Sequence, residues 1–285
     1  MSFSKLNAPL ISIVIPSFNQ GNYIEQTITS ILGQYYANLE LIVIDGGSTD
    51  CTLDVIKKYA HLITYYVSEP DKGQADAINK GFRVAKGDIL GWLNSDDMYL
   101  PCTLAKVANL IGVSKIPKLI YGGCLHFFEG KEQTYGYLPP NFNSEKLTYA
   151  DYIIQPSSFW SRSLWETVGE LNESYNYVLD WEWFIRATKT CVFTPIQDYL
   201  SIYRLHENHK TGTGGLRRSQ EILKIVEIYA NEEWLEIYKD VYKKITSSKL
   251  NKNSPLQLKV WSKFIIRYLY LKHGKSNVNL AISML

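Results

Sequence analysis

Short apolar segments alternate with amphipathic segments over the first hundred residues. Four runs of aliphatic and β-branched residues, at 10–15, 39–44, 62–67 and 89–93, predict buried strands. Between them, apolar residues at helical spacing predict helices that begin near residues 22, 50 and 74. Strict alternation of strands and helices, with strands that are apolar on both faces, predicts an α/β fold whose mostly parallel sheet is covered by helices on both sides.

Local signals predict where elements and domains end. Asn22 with Glu25 three residues later predicts a capping box, and Gly87 predicts a C′ glycine closing the helix over 74–85. The segment 211–215, Thr-Gly-Thr-Gly-Gly, predicts a flexible joint, and the chain beyond it has a helical pattern with a last helix over about 254–271. We therefore expect an α/β domain over 1–215 and a helical extension over 216–285.

Composition narrows the class of protein. Apolar residues make up 46% of the 285 residues and charged residues 20%, which is typical of a folded globular protein. A formal net charge of +2 argues against nucleic acid as a partner. The four cysteines form no C-x-x-C pair, and we find neither a signal peptide nor an apolar run long enough to cross a bilayer. We expect a cytoplasmic protein and leave open a peripheral position at the inner membrane face.

Acidic residues follow two of the predicted strands. Ligands of parallel sheets bind beyond the carboxyl ends of the strands, where Asp45 and the pair Asp96 and Asp97 fall. Adjacent carboxylates repel each other, and Mg²⁺ or Mn²⁺ is the usual cation that offsets this. Asp45 precedes two glycines that permit close approach of a ligand to the backbone. For all three aspartates, a purely structural role in a turn or helix cap remains the alternative.

Two further side chains are candidates for chemistry. Asp180 lies among aromatic residues, and partial burial would raise its affinity for a proton, as suits a general base. The alternative is that Asp180 is a helix N-cap. His206 follows a strand-like segment over 200–205, and its neutral imidazole is a suitable ligand for Mn²⁺. The alternative is a structural histidine.

Several segments follow one another in a recognisable order. They are SIVIPSFNQGNYIEQTITSIL at 12–32, LIVIDGGSTDCT at 41–52, EPDKGQADAINKGFRVAKGDILGWLNSDD at 69–97, QPSSFWSRSLWETVGELNE at 155–173, LDWEWFIRA at 179–187 and YRLHENH at 203–209. In this order they resemble the family 2 glycosyltransferases, which are inverting enzymes of the GT-A fold. The resemblance covers roughly residues 9–210 and implies a GT-A fold for this part of the chain.

The resemblance implies a role for each matching position. Asp45 would face the nucleotide base, in a pocket that is also lined by Pro16, Ser17, Phe18 and Asn19. Donor contacts near the base and diphosphate are implied for Asp71 and Asn79. The DxD-type element has Asn94 at its first acidic position, so that the metal and ribose contacts would fall to Asp96 and Asp97. His206 would join the metal or the diphosphate. Asp180 would be the catalytic base, with Leu179 in place of the family's preceding Glu.

The implied activity is a metal-dependent transfer from a nucleotide diphosphate sugar. Mn²⁺ or Mg²⁺ is the implied cofactor, UDP the implied nucleotide, and a hydroxyl of a glycan, lipid-linked or other acceptor the implied target. Because the QxxRW motif of processive synthases is absent from the sequence, we expect one sugar per binding event. A non-catalytic nucleotide-sugar-binding protein is the alternative. A dehydrogenase is disfavoured because no G-x-G-x-x-G follows the first predicted strand.

The C-terminal segment lies outside the resemblance. Its last predicted helix carries Lys259, Lys263 and Arg267 at a spacing of four, on one face. We expect this helix to pack against the α/β domain or against another subunit, which leaves a homo-oligomer open. The alternative is an amphipathic surface that binds anionic lipid.

Overall fold

The structure is a computed structural model that describes residues 8–131, 133–207 and 209–247, with the backbone alone for 244 and 245. The chain forms two compact units. Unit 1 comprises Met1–Phe142, Ile153–Ser174 and Arg186–His206, and unit 2 comprises Asn143–Tyr152, Tyr175–Ile185 and Glu207–Leu285. Unit 2 includes two segments that precede residue 207, and the predicted division into domains over 1–215 and 216–285 stays a prediction. The predicted helix with Lys259, Lys263 and Arg267 lies outside the described residues.

Unit 1 is built on a single sheet. In the described residues its nine strands are β1 (Ile11–Ser17), β2 (Leu39–Asp45), β3 (Tyr65–Ser68), β4 (Ile89–Trp92), β5 (Met98–Tyr99), β6 (Leu119–Phe128), β7 (Thr134–Tyr137), β8 (Ser158–Ser161) and β9 (Phe193–Leu205). Their order is β3-β2-β1-β4-β8-β6-β9-β5, with β7 paired to β6. The first four strands are parallel, β8 is antiparallel to both of its neighbours, and β6 and β9 are again parallel. The predicted fold class is confirmed.

The helices of the two units connect these strands or follow them. They are α1 (Ile24–Leu32), α2 (Thr52–Lys58), α3 (Gln74–Val84), α4 (Thr103–Ile111), α5 (Ser144–Leu147), α6 (Arg162–Val168), α7 (Leu179–Ala187), α8 (Lys210–Thr213), α9 (Gly215–Tyr229) and α10 (Glu232–Ser247). The segment predicted as a flexible joint is helical except at Gly214, which separates α8 from α9. The amides of Gly212 and Thr213 both donate to the carbonyl of His209. Among the helices that the structure describes, none has both the length and the hydropathy needed to cross a membrane.

Three local predictions differ from the structure. Asn22 does not cap α1; the carbonyl of Gln20 accepts hydrogen bonds from the amides of Tyr23 and Ile24 instead. Glu25 accepts hydrogen bonds from the side chains of Lys58, in α2, and Tyr59, directly after it. Gly87 does not close α3, whose cap is the extended Ala85. A side chain at Gly87 would instead lie 2.5 Å from the amide nitrogen of Ser12. The third predicted strand begins late, because residues 62 and 63 still donate to the carbonyl of Tyr59.

Alternation along β1 separates the two faces of the sheet. Ile11, Ile13 and Ile15 are buried in a core with apolar residues of α1, α2 and α4. On the opposite face, Val14 lies beneath α3, so close that a Cβ on Gly81 would come within 2.4 Å of its Cγ1. That face also holds an aromatic cluster of Phe82, Trp92, Trp160 and Trp165. Each fully buried side chain of this kind stabilises the fold by about 1.5–3 kcal/mol, so both helix layers are held firmly to the sheet.

The register of the parallel strands brings their carboxyl ends to one edge. Ser17 at the end of β1 pairs with Asp45 at the end of β2, while β1 pairs with β4 only as far as Val14. Pro16 therefore lies beyond the last pair with β4, where a missing amide is tolerated and the strand continues. The loops after β1, β2, β3 and β4 consequently leave the sheet at the same edge, which is the expected place for a ligand.

Asn79 on α3 fixes the loop that follows α6. Its amide nitrogen donates to the carbonyl of Leu171 at 3.0 Å, and its amide oxygen accepts from the amide of the same residue at 2.9 Å. The side chain is 1% exposed. This pairing satisfies two buried backbone groups and occupies both ends of the side-chain amide, which favours a structural role over the donor contact implied by the resemblance.

We predict that Asn79→Ala lowers the free energy of unfolding by about 2–4 kcal/mol, because it leaves two buried backbone groups without partners. Urea unfolding followed by circular dichroism measures this change. Asn109→Ala, on the exposed face of α4, is the matched control and should change stability by no more than about 0.5 kcal/mol. Equal stability of the two variants would contradict the structural role of Asn79.

Candidate active site

The segment after β1 lies against the turn after β2. The amide of Gly46 donates to the carbonyl of Ser17 at 2.8 Å, and Asn19 Oδ1 accepts from the amide of Thr49 at 2.9 Å. Asn19 has a φ of 52°, a left-handed conformation that asparagine tolerates better than most residues. The segment 16–19 therefore adjoins the Asp45 turn, and it presents Phe18 with 58% of its surface exposed.

The carboxylate of Asp45 is buried and organises its own turn. It accepts hydrogen bonds from the amide of Ser48 at 2.9 Å, from the hydroxyl of Ser48 at 2.5 Å and from the hydroxyl of Ser68 at 2.6 Å. A carboxylate offers about four lone-pair sites, so one acceptor position remains. The turn role that the sequence left as an alternative is thus present, with one lone-pair position of the carboxylate not used by these hydrogen bonds.

Asp71 adjoins the same turn from the loop after β3. A Cβ on Gly46 would lie 2.6 Å from Asp71 Oδ2, and Asp71 Oδ1 accepts from the amide of Gly73 at 2.8 Å. Burial raises the pKa of Asp71, and the charges of Asp76 and Asp45 raise it further against the effect of the Gly73 hydrogen bond. Two acids therefore border Gly46, whose lack of a side chain is required by this close approach.

The two adjacent aspartates after β4 have different surroundings. Asp97 is fully buried, and its carboxylate accepts from the amide of Arg204 at 3.0 Å and from the side chain of Asn94 at 3.3 Å. Burial, with the charge of Asp96 second, raises the pKa of Asp97 well above its usual value. These contacts make Asp97 an internal anchor of the turn, which departs from the metal contact that the resemblance implied for it.

Asp96 pairs with His206, the last residue of unit 1 in sequence. Asp96 Oδ2 lies 3.0 Å from His206 Nε2, and the two side chains are 17% and 3% exposed. Strand β9 carries His206 to this place, because β9 pairs with β5 directly after the Asp96 turn. The ring of Tyr23 packs on the imidazole with ring centroids 4.4 Å apart. The structure thus brings together a carboxylate and an imidazole that are 110 residues apart.

This pair fits a divalent cation shared with a phosphate-bearing ligand. Carboxylate oxygen and imidazole nitrogen suit Mn²⁺, and Mg²⁺ is held in proteins by one or two carboxylates together with water and phosphate oxygens. Across residues 8–131, 133–207 and 209–247, no group of three or more His, Cys, Asp or Glu side chains is arranged to hold a metal ion alone. Asp96 and His206 would therefore supply two ligands, and water and phosphate oxygens the rest.

Arg204 and Gln74 belong to this site although the sequence analysis did not select them. Arg204 Nε donates to the carbonyl of Asp96 at 3.0 Å, and its guanidinium lies over the ring of Tyr23 at 5.2 Å. Gln74 Nε2 donates to Asn94 Oδ1 at 2.7 Å, which links the first residue of α3 to the turn that holds Asp96. One signal was available for Arg204, since it lies two residues before His206 at the end of the predicted strand over 200–205, and residues two apart in an extended chain share a face.

Asp180 belongs to unit 2. It is the second residue of α7, so it lies within the first turn of that helix and is not the N-cap that the sequence left as an alternative. Its Oδ1 accepts from the amide of Trp181 at 2.9 Å. Burial raises the pKa of Asp180, against the hydrogen bond from Trp181 and the positive charges of Lys210 and Arg218. A carboxyl with raised proton affinity is suited to act as a general base.

Relatives of known class share most of the chain. The model of the family described as glycosyl transferase family 2 matches residues 12–156. A PGL/p-HBAD biosynthesis glycosyltransferase of Mycobacterium bovis is 31% identical over 225 residues, which cover 76% of this chain and 84% of the relative. An uncharacterized glycosyltransferase of Rickettsia typhi is 28% identical over 216 residues, covering 72% of this chain and 67% of the relative.

Solved structures share the fold. Staphylococcus aureus TarS 1–349 in complex with UDP-GlcNAc has a TM-score of 0.61 at 15% identity, over 97% of this chain and 79% of that chain. The mannosyltransferase PcManGT from Pyrobaculum calidifontis, in complex with GDP-Man and Mn²⁺, has a TM-score of 0.58 at 17% identity, over 97% and 85%. In the longer TarS structure, the match spans 44% of that chain. The expected GT-A fold is thereby confirmed, and the family match together with the mycobacterial relative establishes that this chain belongs to glycosyl transferase family 2 and is a glycosyltransferase.

Proposed function

We propose that the enzyme transfers one sugar from a nucleotide diphosphate donor to an acceptor hydroxyl with inversion at the anomeric carbon, using a divalent cation at Asp96 and His206 and Asp180 as the base. The observation that carries the proposal is the Asp96–His206 pair at the carboxyl-end edge of the sheet. A carboxylate and an imidazole at this edge form a donor set for a cation that neutralises a diphosphate.

The nucleotide base would bind at Gly46. Asp45 keeps one acceptor position, Asp71 borders the same glycine, and Phe18 offers an exposed ring for packing. An N–H of the base is the expected donor to these acids. UDP is our proposed nucleotide because TarS, which shares the fold, binds UDP-GlcNAc. The structure of PcManGT with GDP-Man makes GDP the alternative to test.

The diphosphate would lie at Asp96 and His206. Mn²⁺ or Mg²⁺ held there would stabilise the negative charge that develops on the departing nucleotide diphosphate. Arg204 contributes by position, because its bond to the carbonyl of Asp96 fixes the turn that aims this carboxylate at His206. Tyr23 packs on the imidazole and limits its rotation.

Asp180 would take the proton of the attacking hydroxyl. An unperturbed aspartate, with a pKa of about 3.9, is a weak base, and burial in unit 2 raises its proton affinity. The hydroxyl loses its proton as its oxygen bonds to the anomeric carbon, and the bond to the diphosphate breaks on the opposite face. The acceptor would be a hydroxyl of a glycan or of a lipid-linked or other molecule.

We predict that Asp96→Asn weakens the binding of UDP in the presence of Mn²⁺ by at least about tenfold, or 1.4 kcal/mol, because it removes the carboxylate that pairs with His206. Isothermal titration calorimetry measures the affinity. A chelator should weaken UDP binding to the unchanged protein to a similar degree.

The matched control is Asp54→Asn, which makes the same change on the exposed side of α2 and should leave the affinity unaltered. The metal site would be wrong if UDP bound the unchanged protein equally well with and without chelator.

We predict that Asp180→Asn lowers kcat by about 10²–10⁴-fold, the usual contribution of a general base, while UDP binding stays within twofold. Turnover is measured with a UDP-sugar and acceptor pair on which the unchanged enzyme is active. Retained turnover in this variant would remove Asp180 from the mechanism.

The pH dependence of kcat gives an independent prediction about Asp180. The base acts deprotonated, and burial raises its pKa, so activity should fall with decreasing pH through a midpoint above the ordinary pKa of an aspartate. The residual activity of Asp180→Asn should lack this acidic limb. An unchanged limb in the variant would assign the titration to another group.

A further inference from the structure

The guanidinium of Arg218 has one nitrogen, Nε, without a hydrogen-bond partner among the described residues. It lies in the first turn of α9 and is half-buried, and its Nε is buried with no hydrogen-bond partner. Arginine remains protonated at all physiological pH values. A buried donor without a partner costs about 1–3 kcal/mol, more when it is charged, so such a group suggests a ligand that is bound during function.

Glu221, the nearest acid to Arg218 along α9, accepts its hydrogen bonds from backbone amides. Glu221, one turn after Arg218, accepts hydrogen bonds from the amides of Asn176 at 3.0 Å and Tyr177 at 2.7 Å. These bonds hold the segment that leads into α7. The carboxylate that helical spacing would offer to Arg218 therefore serves the backbone instead.

A second cation lies beside the same aromatic ring. A Cβ on Gly214 would lie 2.8 Å from both Arg218 Cβ and the ring of Tyr177, so these two side chains adjoin one narrow gap. Lys210 Nζ lies 5.8 Å from the centroid of the Tyr177 ring. Unit 2 thus gathers an ammonium and a guanidinium around one tyrosine, directly before the helix that carries Asp180.

Both cations act on the carboxylate of Asp180. Their charges lower its pKa, in opposition to burial. Among the described residues, no ion pair joins Arg218 to Asp180, so the two charges interact without direct contact. The charge of Arg218 also acts on the buried Tyr238, whose hydroxyl donates to the carbonyl of Tyr149. The charge of Arg218 therefore acts on both Asp180 and Tyr238, while its Nε keeps an unused hydrogen-bond donor.

We propose that Arg218, assisted by Lys210, binds an anionic group of the acceptor, so that this glycosyltransferase acts on acceptors with a phosphate or a carboxylate close to the reacting hydroxyl. The proposal rests on the proposed role of Asp180 as the base. The planar guanidinium matches the two oxygens of either anion. Such a contact would set the distance from the anion to the hydroxyl, and the same cations would stabilise negative charge on the attacking oxygen.

The distribution of residues between the units indicates that the anion bound by Arg218 belongs to the acceptor and not to the donor. Asp45, Asp71, Asp96 and His206, to which we assign the donor, all belong to unit 1. Arg218, Lys210 and Asp180 all belong to unit 2. The group that contacts the base is the acceptor hydroxyl, so an anion bound beside Asp180 belongs to the acceptor.

The test compares three small probes on the full chain. Glucose 6-phosphate carries a phosphate, glucuronate carries a carboxylate, and glucose is the neutral reference; their binding is measured by ligand-observed NMR titration. We expect at least one of the two anions to bind more tightly than glucose, and the better one identifies the anion type. Arg218→Gln should weaken that binding by about tenfold, as expected for a lost hydrogen bond between charged groups.

Arg217→Gln is the matched control, because it removes the same charge from the adjacent, exposed position of α9. It should change the binding of the anionic probe less than twofold. Arg218→Lys keeps the charge and loses the planar fork, so it should give an intermediate loss, and it replaces Arg218→Gln if that variant does not fold. The proposal is overturned if neither anion binds better than glucose, or if both arginine variants lose binding equally.

Binding of UDP with Mn²⁺ separates this proposal from the function on which it rests. We expect Arg218→Gln to bind UDP as the unchanged protein does. A matching loss of UDP affinity would assign Arg218 to the donor diphosphate and overturn the acceptor proposal alone. Retained turnover in Asp180→Asn would instead remove the base, whatever the three probes show.

Discussion

One buried carboxylate determines the shape of the sheet edge at which we propose that the donor binds. Asp97 is fully buried, and a charge in that position must be hydrogen-bonded or it destabilises the fold. Its side chain accepts from Arg204 on β9 and from Asn94 after β4, and its carbonyl accepts the hydroxyl of Thr27 on α1 at 2.7 Å. Three segments that are distant in sequence thus meet at one residue. The direction of Asp96 and the position of His206 both follow from this junction.

The fold could be predicted from the sequence because its signals are local. Continuous apolar strands and amphipathic helices in alternation determine a parallel sheet, and the register of β1 and β2 then puts Asp45 at its edge. The segment motifs also selected Asp96 and His206, which the structure pairs at 3.0 Å. The resemblance alone implies a donor contact for Asp71, which lies against Gly46; that contact stays a prediction.

The remaining parts of the site depend on which way a side chain points, and sequence patterns do not determine this. Asp96 and Asp97 are identical and adjacent, yet one faces His206 and the other is enclosed. Asn79 resembled a donor residue, but the buried backbone of Leu171 required its amide. Gly87 had the pattern of a helix end, whereas its lack of a side chain is needed by a contact with Ser12, 75 residues away. In each case the partner that determines the side chain's surroundings is remote in sequence.

The near-zero net charge conceals a separation of charge that suits group transfer. Unit 1 concentrates acids at its sheet edge, where the pKa values of Asp71 and Asp97 are raised by burial and by neighbouring carboxylates. Repulsion among acids destabilises a site unless a cation or a hydrogen-bond donor is bound there, so the metal-bound diphosphate that we propose would stabilise this edge. In unit 2 the charge around Asp180 is positive instead, because Lys210 and Arg218 both act on its carboxylate. A base in such surroundings loses proton affinity to the cations and gains it from burial. An anion bound by those cations would offset their effect, and the carboxylate would then become a stronger base when the acceptor is in place.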